Sequence, residues 1–263
     1  MNIHETAIIA PGAKVGHNVT IGARAMVGEN VEIGNNCKIE PGVIIEGWTT
    51  IGPNCHIYPY TVIGTPPQDL KFGGEETKVV IGSDNTIREF VTINRATAHG
   101  GGETTIGSHN FIMAYAHIAH DCSLGDHNIL ANAATLAGHI IVEDHVSIGG
   151  LSGIHQFVNL GRYAFIGGCS AVSQDILPFS LAVGNHAMIH GLNVIGLQRQ
   201  GFSTERLNIL KQAFRIFFRS TMNRSQAVDH IKNTFEITPD IEHLLTFIEK
   251  SSRGIAKGIK PKS

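Results

Sequence analysis

The sequence predicts a mainly β fold, a parallel β-helix of hexapeptide repeats followed by a small carboxy-terminal α-helical domain. Three observations carry this. An aliphatic residue returns at every sixth position from Ile3 to Ile63, again from Ile81 to Ile93, and again from Ile106 to Val172. The next residue is often glycine (Gly16, Gly22, Gly28, Gly34, Gly52, Gly64), and the fifth place of each hexad is small or β-branched, as at Ala7, Val19, Ala25 and Val31. From Ser203 onward the beat is replaced by apolar residues at helical spacing. A period of six fits neither a helix nor a simple strand, and belongs to solenoids in which each short strand is one side of a coil.

Three hexads make one triangular turn. Residues 18 apart in sequence therefore stack directly above each other, about 4.8 Å away by the spacing of hydrogen-bonded strands. The aliphatic residues form an inward column. Glycine at the corners is expected to supply backbone angles that β-branched residues cannot adopt.

Taken in order, residues 1–183 form the β-helix. TPPQDLKFGGEETKVV after Gly64 and RATAHGGGETT before Ile106 interrupt the beat and predict loops at about 65–80 and 95–105, where function tends to concentrate. Gly100, Gly101 and Gly102 are followed by neither a Lys-Ser/Thr pair nor a helical pattern, so they read as a mobile loop rather than a phosphate cradle. Pro178 closes the array, and residues 184–202 read as an irregular cap and connector. Residues 203–263 form the helical domain. Ser203 caps a helix carrying Leu207, Leu210, Phe214 and Phe217, with Glu205 in its first turn; a second helix runs from Ser225, and a third starts at Thr238-Pro239. The basic tail RGIAKGIKPKS is expected to fray.

The chain has 263 residues, 42% of them hydrophobic, which is ample for a core, and a net charge of -2 without clustered Lys and Arg, which argues against a nucleic-acid partner. No basic amino-terminal leader and no apolar stretch of bilayer length occurs, so no transmembrane segment and a cytoplasmic location are expected. Cys37, Cys55, Cys122 and Cys169 form no CxxC pair. Three of them occupy the fifth place of a hexad, where packing explains them, and Cys37 and Cys55, 18 apart, are expected to stack yet stay reduced.

The 15 histidines include solvent residues such as His17 and His127. Others fall in register: His120, Gly138 and Gln156 lie 18 apart, with His139 beside Gly138 and His155 beside Gln156, so three successive coils are expected to place an imidazole near one corner. No Ser-His-Asp order is evident, so a covalent nucleophile is not indicated. His120 reads as a general base. Gly138 lets a backbone N–H approach a developing oxyanion one coil away, the geometry of direct acyl transfer. Asp121, next to His120, can be read as a simple surface carboxylate. Two other readings remain. Three stacked histidines bind zinc in the carbonic anhydrases that share this architecture, and a purely structural solenoid would leave the His120–Gly138–Gln156 stack unexplained.

HIAHDC (117–122), LAGH (136–139), IHQF (154–157), PQDLKF (67–72) and GNHA (184–187) resemble the acyl-carrier-protein-dependent UDP-N-acetylglucosamine O-acyltransferases, over essentially the whole chain. The resemblance implies a left-handed coil, a homotrimer with active sites between subunits, and no cofactor or metal. It implies transfer of a 3-hydroxyacyl chain from acyl carrier protein to the 3-hydroxyl of UDP-N-acetylglucosamine, the opening step of lipid A synthesis. By the same match His120 is the base, Asp121 its orienting partner and Gly138 the oxyanion donor. Asp69, Lys71, His117, His139, His155 and Gln156 match positions that hold sugar, phosphate or acyl groups. Asn193 and Arg199 match nucleotide contacts, and Gly168 and His186 bound the far end of the acyl groove. Two positions depart: Ile195 stands where an acidic residue is common, and Gln200 where a second basic residue is. These leave the 3-amino analogue of the sugar as an alternative acceptor. The N-acyltransferases acting later in the same pathway carry an extra amino-terminal domain, whereas here the repeats begin at Ile3.

Overall fold

The computed structural model describes residues 2–219 and 222–259. Their strands, most of two residues, form three sheets of eleven, nine and eight strands that are the sides of one triangular coil. The pairing is parallel and in the register the repeat dictates, Ile3 beside Ile21 and Ile112 beside Leu130. At the interruptions the partners lie further apart in sequence, 30 residues across the first loop and 25 across the second. Each loop is thus extruded without shifting the coil.

Two hexad positions fill the core. The repeating aliphatic points inward, with Ile57, Ile63 and Ile112 fully buried, and so does the fifth place, including Val19, Ala25, Val31, Cys37 and Cys55. Burying each large aliphatic contributes about 1.5–3 kcal/mol. Cys37, Cys55 and Cys122 are buried and Cys169 is exposed, all as free thiols, and burial pushes the Cys122 thiol up to about 12.

The expected role of the corner glycines is corrected by the backbone. The left-handed residue is two places further on and is seldom glycine: Asn18, Arg24, Asn36, Asn54, Asp121, His139 and Phe157 all have φ between 55° and 65°. The glycine answers a close approach instead. A methyl group on Gly22 would stand 2.5 Å from the Pro41 nitrogen in the next coil, and one on Gly34 2.6 Å from that of Pro53.

The left-handed positions stack into three corner columns. One holds Asn18, Asn36 and Asn54, hydrogen-bonded in series at 3.3 and 3.2 Å, then Asp84, then His109, His127 and His145 stacked at 4.8 Å, then Tyr163. His127, expected as a plain solvent residue, is exposed but sandwiched between two imidazoles. A second column holds Tyr60, Phe90 and Tyr115, ring on ring, continuing to Ala133, Leu151 and Cys169. The third holds Asp121, His139 and Phe157.

The array runs past Pro178. Ser180–Val183 pairs in parallel with the coil below and then antiparallel with Met188–Leu192, so the expected irregular connector contains a strand and a short helix, α1 (Val194–Arg199). Beyond it lie α2 (Thr204–Arg219), α3 (Arg224–Thr234) and α4 (Pro239–Lys250). Ser203 Oγ accepts from the Arg206 N–H at 3.3 Å, Asn223 and Gln226 form a capping box, and Thr238 caps α4 before Pro239. The expected fraying does not extend to residues 253–259. Ala256 N–H donates to Asp175 O at 2.9 Å and Ile189 N–H to Lys257 O at 2.8 Å, so the tail is laced to the top of the coil. Its last residues, 260–263, lie outside the described residues.

Candidate active site

The third corner column carries the site, and Asp121 is its anchor. This side chain is fully buried, which excludes a surface carboxylate. Its Oδ2 accepts from His120 Nδ1 at 2.7 Å and from the Thr97 hydroxyl at 2.7 Å, and its Oδ1 accepts from the Thr97 N–H at 3.0 Å. The Asp121 N–H donates to Thr104 Oγ1 at 2.8 Å. Three donors converge on this buried carboxyl group and hold it in one orientation. It orients the His120 ring and leaves Nε2 as the free nitrogen.

That nitrogen faces Gly138. A methyl group there would stand 2.6 Å from His120 Cε1 and 2.9 Å from Nε2, so only glycine leaves room between the imidazole and the backbone one coil above. The Gly138 N–H has no hydrogen-bond acceptor among the described residues, whereas its carbonyl accepts from Phe157 N–H at 3.2 Å. The free imidazole nitrogen thus lies against the residue that carries this unsatisfied N–H.

His139 stands edge-on to His120 at a centroid distance of 5.2 Å, lies flat on Phe157 at 4.5 Å, and brings Nε2 to 3.7 Å from Asp121 Oδ2. Burial depresses its proton affinity below the usual value, against the pull of Asp121. His117 Nδ1 is 2.7 Å from Thr92 Oγ1 and is likewise depressed, first by burial and then by the neighbouring His120. Asp69, on the first loop, is held below the usual carboxylate range chiefly by the Lys71 N–H, which donates to its Oδ1 at 2.9 Å. Asp69 Oδ2 also lies 3.4 Å from His99 Nε2 on the second loop. The Lys71 side chain is exposed on the first loop.

Other candidate residues lie elsewhere on the chain. His155 does not join the histidine corner: its Nδ1 accepts from Arg253 Nη2 at 2.8 Å, and it lines a cavity of about 290 Å³ with Ala137, Gly153 and His186. The expectation of three imidazoles at one corner is therefore corrected to two. His186 Nδ1 is 3.5 Å from Ser173 Oγ. Gln156 is exposed in the coil above Gly138. Gly168 is exposed beside the second column. Asn193 caps α1, its Oδ1 accepting from Gly196 N–H at 3.2 Å and its Nδ2 donating to Tyr163 O at 3.1 Å, which puts it with exposed Arg199 by the first column.

The zinc alternative loses its ligand set in the same geometry. Among the described residues, the group whose ligand atoms fall within 4.8 Å of one another is His120, Asp121 and His139, not three histidines, and Asp121 is already committed to Thr97 and His120. The sequence reading missed Thr97, His99, Gly100, Thr104 and Arg253. Only His99 lies 18 residues from a site residue, His117, and across that loop the register is 25, Thr92 pairing with His117, so the coil ruler does not place them.

The family model described as UDP N-acetylglucosamine O-acyltransferase, domain 2, matches residues 175–256. The bacterial transferase hexapeptide model matches residues 1–34, 30–65 and 103–138. An acyl-[acyl-carrier-protein]–UDP-N-acetylglucosamine O-acyltransferase of Thermodesulfovibrio yellowstonii is 53% identical over 97% of this chain and 99% of its own. Among solved structures, UDP-N-acetylglucosamine O-acyltransferase from Moraxella catarrhalis is similar with a TM-score of 0.95 and 42% identity, covering 98% of this chain and 100% of that one. UDP-N-acetylglucosamine acyltransferase from Campylobacter jejuni gives 0.93 and 43%, with the same coverage. With the fold and the corner built around His120, these place the chain, a left-handed parallel β-helix with a helical carboxy-terminal unit, in the family of acyl-[acyl-carrier-protein]–UDP-N-acetylglucosamine O-acyltransferases.

Proposed function

We propose that the protein transfers a 3-hydroxyacyl group from acyl carrier protein to the 3-hydroxyl of UDP-N-acetylglucosamine, the opening step of lipid A synthesis, with His120 as general base. The observation that carries this is the line from Asp121 through His120 to Gly138. His120 Nε2 takes the proton of the sugar 3-hydroxyl as its oxygen attacks the thioester carbonyl. The oxyanion of the tetrahedral intermediate accepts from the Gly138 N–H. On collapse the C–S bond breaks, and the departing carrier thiolate takes the proton back from His120. Asp121 holds the ring and balances the imidazolium. No cofactor is needed.

Asp69, Lys71, His117, His139 and Gln156 surround this space as substrate contacts, while His155, Gly168, His186, Asn193 and Arg199 stand on other sides of the same coil. A homotrimer resolves that division, because the side or corner of one subunit meets a different one of its neighbour. The exposed stripe of Tyr60, Phe90, Tyr115 and Leu151 along the second column supports such an assembly. Among the described residues no helix is long and apolar enough to cross a membrane.

The acceptor is tested directly. Ile195 is 66% exposed on α1 near Arg199 and Gln200, so a hydroxyl-orienting acid is missing from that surface. With one 3-hydroxyacyl carrier donor, kcat/KM for UDP-N-acetylglucosamine is expected to exceed that for its 3-amino analogue. A strong preference for the amine would replace the O-acyl assignment by N-acyl transfer and leave His120 and the fold as they are.

A further inference from the structure

We infer that Thr97 is a positioning residue for the reaction, and that the loop around residues 95–105 serves to clamp the Asp121 carboxylate. The inference rests on His120 being the base. Thr97 is fully enclosed (1% exposed) and supplies two of the three donors to the carboxylate, its N–H to Oδ1 at 3.0 Å and its hydroxyl to Oδ2 at 2.7 Å. The hydroxyl reaches the same oxygen that holds His120 Nδ1, so it fixes the rotamer through which Asp121 orients the base.

The loop is shaped to deliver this side chain. Thr97 caps the single turn Ala98–Gly100, its Oγ1 accepting from the Gly100 N–H at 3.1 Å while its carbonyl accepts from Gly102 N–H at 3.1 Å. Gly100 is required for proximity: a methyl group there would collide with the Asp121 carboxyl carbon and both its oxygens. From the other side Thr104 Oγ1 accepts the Asp121 N–H at 2.8 Å. The glycine run expected to be a mobile loop is the lid of the carboxylate pocket. Its triple glycine gives Gly101 and Gly102 their φ of 108° and 84°, and gives Gly100 its closeness to Asp121.

The test is a set of full-length variants assayed for kcat and for KM toward both substrates, with circular dichroism as the fold control. Thr97→Val keeps the shape and the N–H but removes the hydroxyl, and is expected to lower kcat about 10- to 100-fold, the worth of a hydrogen bond to a buried charge. Both KM values stay within about twofold, since Thr97 touches no substrate. Thr97→Ser restores kcat to within about threefold, because it returns the donor. In an Asp121→Ala background Thr97→Val adds no further loss, because the effect passes through the carboxylate.

A folded Thr97→Val enzyme with wild-type kcat, a loss that Thr97→Ser does not restore, or a loss that adds to Asp121→Ala would each overturn the inference. If Thr97→Val does not fold, Gly100→Ala decides: it pushes a methyl group onto the carboxylate and should lower kcat with KM unchanged, and wild-type turnover would sink the proposal. His120→Ala separates the two readings. Retained turnover there removes the base itself, whereas an inactive His120→Ala beside a fully active Thr97→Val removes only the role of Thr97.

Discussion

The uninterrupted lower coils and the upper coils above the two loops obey the same six-residue rule, yet the candidate site is built on the upper ones. In the lower coils the left-handed corner residues Asn18, Asn36 and Asn54 satisfy each other, side chain to side chain, and ask for nothing from outside. In the upper coils the same backbone position is taken by Asp121, His139 and Phe157. There the partners of Asp121 come from an extruded loop, Thr97, and from its own neighbour, His120. A regular repeat pairs like with like one coil away. Breaking it is what brings a carboxylate, an imidazole, a hydroxyl and a glycine N–H together.

That contrast can be broken at several points. The largest effect is expected at His120, where replacement by alanine should lower turnover by ~10²–10⁴ with circular dichroism unchanged, as for the loss of a general base. The matching change in the lower coils, Asn36→Ala, loses a ladder bond and places a non-glycine without a polar side chain in the left-handed region. It should cost about 1–2 kcal/mol in a denaturant titration and leave kcat untouched. Near wild-type turnover in His120→Ala would erase the functional difference between the regions.

A second effect concerns assembly. Leu151 is 70% exposed in the second column with φ 59°, a conformation that aspartate tolerates, so Leu151→Asp should keep the coil while weakening the proposed trimer. Light scattering should then show lower mass than the wild type, with activity falling in step. A wild-type mass of one chain would refute the shared site.

Gly168 offers a smaller, more selective effect. It is exposed, and a Cβ there would meet the Gly150 carbonyl at 3.3 Å and the Gly150 nitrogen at 3.9 Å, so Gly168→Met asks the neighbouring coil to give by a few tenths of an ångström and fills the space beyond. Donor preference should move toward shorter acyl chains, read as ratios of kcat/KM across a chain-length series. An unchanged ratio would place the end of the groove elsewhere.

The smallest effect is on pH. Burial leads the depression of His117, His139 and His145 below their usual 6.5, so the unfolded chain takes up protons more readily than the folded one. Their contribution to stability is complete above pH 6.5 and is lost as the pH falls from there through the folded values. Unfolding midpoints should drop over that acid window. Replacing His145 by asparagine, which makes the upper corner resemble the lower, should flatten the drop.

The sequence by itself determined the coil, its register and the central stack. Strand spacing is constant, so a residue 18 places on must lie one layer up, and His120 had to face Gly138. The hand of the coil and the reaction were legible through the motifs from HIAHDC to GNHA rather than through periodicity. Only the tertiary structure decided how Asp121 is held and where the third imidazole goes. It placed Thr97 on Asp121 across a loop of irregular length, gave His155 to Arg253, and laced residues 253–259 to the coil. It also assigned the repeat glycines to close packing and the left-handed turn to the residue two places on. The physical reason is that spacing encodes neighbours only while the backbone repeats; once a loop or a tail leaves the coil, contacts follow from packing and hydrogen-bond satisfaction, which no interval in the sequence records.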